Sequence, residues 1–135
     1  MKSKRRFDRR VDELESIFNF LKIYWQEFQI GDRDQHDMEL SVEEIFMNMI
    51  KHNTSKSSGD IEVSIEKTGR KVVLSLTDSE EVPFDITKAS RVDFEDYIKN
   101  IRSGGLGIHL VRKLMGDVKF EHNDGLSIIT ITKLI

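Results

Sequence analysis

The sequence predicts an α+β fold, a two-layer α/β sandwich in which helices pack on one face of a mostly antiparallel mixed sheet. Three observations carry this expectation. Two apolar stripes with helical spacing occupy the N-terminal part of the chain. Alternating apolar and polar residues flank Thr68-Gly69-Arg70 and again Asn123-Asp124-Gly125, as hairpins require. A glycine-led apolar helix stands between the two hairpins, so the order is helix, helix, two strands, connection, helix, two strands. That order layers helices against a sheet.

Along the chain, Val11, Leu14, Phe18, Leu21, Trp25 and Phe28 recur at steps of three and four and predict an amphipathic helix over 9–28. Fewer than four heptads fit, which favours packing within one domain; pairing of two copies into a homodimer is the alternative the spacing leaves open. "IGDRDQHD" reads as a polar connection. A second helix is expected from 39 or 41 to 52, with Val42, Ile45, Phe46 and Met49 as its core stripe. The turn-rich "NTSKSSGD" then leads into strands near 61–67 and 71–78. Between 79 and 103 the pattern weakens, although "DFEDYIKNIR" has the makings of a short helix. A connection of that length in a compact domain is often a functional lid, placed here at about 87–103. In the following helix Ile108, Leu110, Val111, Leu114 and Met115 share one side, and "DVKFEH" and "LSIITITKL" form the last strands.

With 135 residues, one proline and no linker-like tract, the chain reads as a single domain over 1–135 whose core is large enough to fold alone. The net charge of −3, from 21 basic and 24 acidic residues, gives no overall attraction to nucleic acid or to an anionic membrane. Small molecules and proteins are the expected partners. There is no cysteine, which excludes disulfides and thiolate metal sites and agrees with a reducing, cytoplasmic setting. "MKSKRRFDRR" is charged without a following apolar run, so no secretory signal is expected there, and no stretch is apolar enough to span a membrane. His36, His52, His109 and His122 lack a metal-binding spacing, and no G-x-S-x-G elbow supports a serine hydrolase.

Several polar residues break the pattern. Glu44, Asn48 and Lys51 fall within about 60° of one another on the second helix, opposite its apolar stripe. A carboxylate and an amide at i and i+4 can together hold a hydrated divalent cation or a water, and a lysine beside them can meet phosphate oxygens. An ordinary solvated helix face is the alternative. Asp78 continues the inward face of Val72, Leu74 and Leu76 at the end of its strand. A carboxylate aimed at the core needs a donor, which a protein group or a ligand amine can supply; a turn cap at the strand end is the plainer reading. Gly104, Gly105 and Gly107 precede the last helix, where unpaired backbone N–H groups can cradle a phosphate or where the glycines simply form a flexible joint.

Taken together, "EEIFMNMIKH", "LTDSEEVPFD" and "SGGLGIHLVRKLM" resemble, in order and spacing, the adenine-nucleotide-binding fold shared by gyrase, Hsp90, histidine kinases and MutL (the GHKL fold). The short lid, "PFD" and "GGLGIHLVRKLM" are most similar to its bacterial anti-sigma-factor serine/threonine kinases. The resemblance covers about 42–135, and its glycine box is the most specific part. It implies ATP and magnesium as cofactors. It implies Glu44 as general base, Asn48 as magnesium ligand, Lys51 as a phosphate-neutralising group and Asp78 as acceptor for the adenine amino group. Gly104, Gly105 and Gly107 match the box over which the lid closes on the phosphates. The implied partners are a sigma factor and a STAS-type anti-anti-sigma protein. One feature departs from the family: Ser79 and Glu80 follow Asp78 where the family has x-Gly, and "SEEVPFD" is one residue longer, which sets bulk and negative charge beside the expected base site. A catalytically inactive module that captures protein partners is therefore a second reading. A stand-alone histidine-kinase-like ATPase domain is a third, although the first helix holds no histidine to accept phosphate.

Overall fold

The computed structural model of the chain describes residues 2–52, 59–79 and 107–135. Its elements are β1 (Lys2–Phe7), a 3₁₀ turn (Val11–Glu13), α1 (Leu14–Glu27), α2 (Asp32–His52), β2 (Ile61–Thr68), β3 (Lys71–Ser79), α3 (Gly107–Met115), β4 (Asp117–Asn123) and β5 (Leu126–Leu134). The strands form a five-stranded sheet in the order β1-β2-β3-β5-β4. Every pairing among the described residues is antiparallel.

Both hairpins close where glycine permits it. Gly69 has φ +61°, and Thr68 pairs with Lys71 across a Gly69-Arg70 turn. Asp124 and Gly125 have φ of 51° and 76°, the paired positive values of a type I′ turn between Asn123 and Leu126. Period two then sends Ile61, Val63 and Ile65 of β2, Val72, Leu74 and Leu76 of β3, and Ile129 and Ile131 of β5 into one buried face. The opposite face carries polar rows such as Ser64, Ser75 and Thr130, with Ser75 Oγ and Thr130 Oγ1 3.4 Å apart.

The helical layer covers the apolar face. α2 buries Met38, Val42, Ile45, Phe46 and Met49, so its expected stripe holds, and α3 packs against it through Val111 and Met115. In α1 the expected stripe holds at Leu21 and Trp25, with Leu14 and Phe28 packed against the core, and is widened by Ile17 and Phe20. Ile17, Phe20, Leu21 and Trp25 are its buried residues, whereas Val11 lies in the 3₁₀ turn and is 50% exposed. Phe20 meets Phe7 of β1 edge to face, 5.9 Å between ring centroids.

Two segments were misread from sequence. "DRDQHD" is the start of α2 rather than a connection: Gly31 accepts the first helical bond through Gln35 N, at 3.0 Å, and Asp32 and Asp34 suit the positive end of the helix. The charged "KSKRRF" is an edge strand in which only Phe7 is buried. Arg6 pairs there with Glu62 across the ladder, Nε to Oε2 3.7 Å. Charge on an edge strand discourages pairing with other chains, which is why apolar alternation is missing from it.

Candidate functional site

The second helix presents its polar residues at the open side of the layer. Glu44, Asn48 and Lys51 line a cavity of about 560 Å³ together with Val11, Glu43, Met47 and Ile50. Glu44 is half-buried, Lys51 is exposed, and Asn48 is 5% exposed. A solvated helix face does not bury an amide. Asn48 Nδ2 is enclosed and makes no hydrogen bond. Leaving a buried donor unsatisfied costs about 1–3 kcal/mol, so the fold tolerates at this position an amide nitrogen that it does not pair.

Asp78 lies at the other end of the described site. Its inward direction follows from β3: it continues the row of Val72, Leu74 and Leu76 and pairs across the sheet with Ser127, whose hydroxyl is 2.9 Å from His122 Nδ1. The carboxylate meets a protein donor, the guanidinium of Arg9, through Nη2 and Oδ1. The two side chains are 13% and 3% exposed. Arg9 also donates from Nη1 to the Met49 carbonyl at 3.0 Å and from Nε to the Gly59 carbonyl at 3.4 Å. Met49 belongs to the last turn of α2, where carbonyls lack helical partners and a cation is favoured. One guanidinium therefore connects the ends of α2 and β3 with the entry to β2.

The structure thus brings Glu44, Asn48 and Lys51 together and sets Asp78 under Arg9, whose Met49 partner adjoins Asn48 in sequence. Gly107 opens α3, and Gly116, at φ +85°, closes it. Gly104, Gly105, Glu80 and the expected lid at 87–103 lie outside the described residues. Sequence reasoning missed Arg9, one basic residue in a run of them, and also Glu43 and Val11 at the cavity rim. The prediction that Asp78 requires a donor was the only signal, and it did not identify which residue.

No group of three or more histidine and acidic side chains suited to a metal occurs among the described residues. Magnesium does not need one, since it keeps several waters and takes one or two protein oxygens beside phosphate. Asn48, 5% exposed on the wall of the cavity, carries an amide oxygen of the kind that fits that limited role. Among the described residues no helix is long and apolar enough to cross a membrane.

Comparison with known proteins places this geometry in a family context. Residues 7–133 match the family described as the histidine kinase-like ATPase domain. A serine-protein kinase RsbW of Bacillus thuringiensis (strain Al Hakam) is 24% identical over 106 residues, which cover 76% of this chain and 65% of that relative. The chain therefore spans just under two thirds of the curated relatives it matches. Among solved structures, the RsbU and RsbW domains of Rv1364c from Mycobacterium tuberculosis superpose with a TM-score of 0.70 at 15% identity, covering 99% of this chain and 32% of that one. The SiaB-SiaC complex from Pseudomonas aeruginosa gives 0.61 at 17% identity, with 98% and 89% covered. At these identities the likeness is one of fold.

Proposed function

Because the chain belongs to the histidine kinase-like ATPase domain family, we propose that it is an ATP-dependent serine/threonine protein kinase of the anti-sigma type. In this reading it holds a sigma factor in the cytoplasm and phosphorylates a STAS-type anti-anti-sigma protein. One observation carries the assignment: the cavity that gathers Glu44 and Lys51 around the buried Asn48, whose Nδ2 makes no hydrogen bond. The likeness to RsbW supports the choice of substrate class.

In this mechanism Asn48 would hold magnesium through its amide oxygen, and Lys51, at the exposed rim, would offset phosphate charge. Magnesium-bound ATP supplies the transferable γ-phosphoryl group. Glu44 faces the same cavity and takes the proton of the attacking hydroxyl as the new O–P bond forms and the bond to the β-phosphate bridging oxygen breaks, leaving ADP. Transfer of this kind depends mainly on positioning and charge, so the chain needs few groups that take part in covalent chemistry.

Incubating the protein with γ-labelled ATP and a STAS-type substrate should place label on a serine or threonine. Glu44→Ala should lower transfer by roughly 10²–10⁴-fold while nucleotide binding persists, because a general base acts in the transition state. Unchanged turnover in Glu44→Ala removes Glu44 from the chemistry. A second reading, the inactive partner-binding module, is favoured by the Arg9–Asp78 pair together with Glu80. Label transfer from wild type at any rate that Glu44→Ala abolishes excludes it.

A further inference from the structure

Arg9 engages the carboxylate that the proposed function reserves for adenine. Its guanidinium contacts Asp78, Met49 and Gly59, groups from three of the described segments at that end of the site. A planar guanidinium offers donors in a fixed fork, and here the fork faces three acceptors. Asp78 accepts and does not donate, so an exocyclic amine of a purine would ask of it what Arg9 already receives. With the carboxylate 3% exposed and its Oδ1 engaged by a side chain itself 13% exposed, a purine amine that approaches Oδ1 competes with the guanidinium.

Resting on the nucleotide reading above, we propose that Arg9 competes with the purine amine for Asp78 and thereby sets the affinity of the base site. The apparent dissociation constant then equals the intrinsic one divided by the fraction of molecules with Arg9 withdrawn. The segment that carries Arg9 is a short turn between β1 and the 3₁₀ turn, held by Arg10 N to Asp8 O at 2.8 Å and Glu13 N to Arg10 O at 3.1 Å. Base binding therefore loosens this turn. The N-terminal edge of the sheet becomes a reporter of the nucleotide site.

Titration calorimetry of adenosine and of magnesium-ADP into the full chain tests this, with wild type, Arg9→Ala, Arg9→Gln and Asp78→Asn compared. Adenosine isolates the base, because removing any positive charge from the site lowers affinity for the anionic diphosphate of ADP for an unrelated reason. Arg9→Ala and Arg9→Gln should bind adenosine about 5–10-fold more tightly than wild type, as expected when a competing state is removed. Adding Asp78→Asn to either should cancel the gain. Should Arg9→Ala fail to fold, Arg9→Gln keeps a donor for the Met49 carbonyl and carries the comparison. Hydrogen exchange in wild type gives a second readout, since adenosine should speed exchange at the Arg10 and Glu13 amides. If Asp78→Asn weakens adenosine while both Arg9 variants leave it unchanged or weaker, or if adenosine slows exchange at that turn, Arg9 is a structural brace and the proposal is overturned. Absence of adenosine and ADP binding in every variant overturns the nucleotide reading itself and this proposal with it.

Discussion

At the scale of single residues the site contains one group that stability alone does not explain. Asn48 Nδ2 is buried without a hydrogen bond, beside the apolar Ile45, Phe46 and Met49 of the same helix. An isosteric apolar side chain removes that penalty. Asn48→Leu should raise the denaturation midpoint, by about 1 kcal/mol of stability, with an unchanged denaturant slope. The same change should abolish magnesium-dependent nucleotide binding. A loss of stability instead would mean that the amide is held by the fold. Asn48 was legible in the sequence, because its spacing from Glu44 is local and helical geometry fixes it. Arg9 was not, because its partners Met49, Gly59 and Asp78 are far from it in sequence and nothing distinguishes it within "RRFDRR". Long-range ion pairs leave no periodic trace.

Among elements, the clearest departure from local preference is the junction of α1 and α2. Gln29 has φ +55°, Gln29 N donates to Gln26 O at 3.1 Å, and Ile30 N donates to Trp25 O at 2.9 Å. This is a Schellman cap with glutamine where glycine is usual, closed by the buried Ile30. The left-handed conformation costs a side-chain-bearing residue about 1–2 kcal/mol. Gln29→Gly should therefore stabilise the protein by about 1 kcal/mol, read as a higher thermal midpoint; a lower midpoint would show that the glutamine side chain contributes more than its backbone strain costs. The hairpins were readable because Thr68-Gly69-Arg70 and Asn123-Asp124-Gly125 specify their own turns. The start of α2 was not. Its first turns are polar, and only the Gly31 carbonyl and the acidic pair Asp32 and Asp34 mark it.

For the whole molecule, the sheet gathers β1 at one edge and β4 at the other and, among the described residues, buries one face under α1, α2 and α3. Lys133 ties the layers together, donating to Asp37 Oδ2 at 3.0 Å on α2 and to the Leu114 carbonyl of α3. The two-layer arrangement follows from the order of helical and alternating segments, whereas β1 escaped notice because an edge strand with one buried residue has no apolar alternation to read. This architecture sets the end of β3 and the last turns of α2 at one end of the fold, where Arg9 bridges them. If the framed site binds adenine nucleotide, binding to the folded state alone must raise stability by RT ln(1 + [L]/Kd), about 2.7 kcal/mol at a hundredfold excess over Kd. The most direct test is the thermal midpoint of the full chain measured against increasing magnesium-ATP. It should rise steadily with nucleotide in wild type and stay flat in Asp78→Asn, whereas a midpoint that does not move in wild type or in Arg9→Ala, up to millimolar nucleotide, would contradict the account.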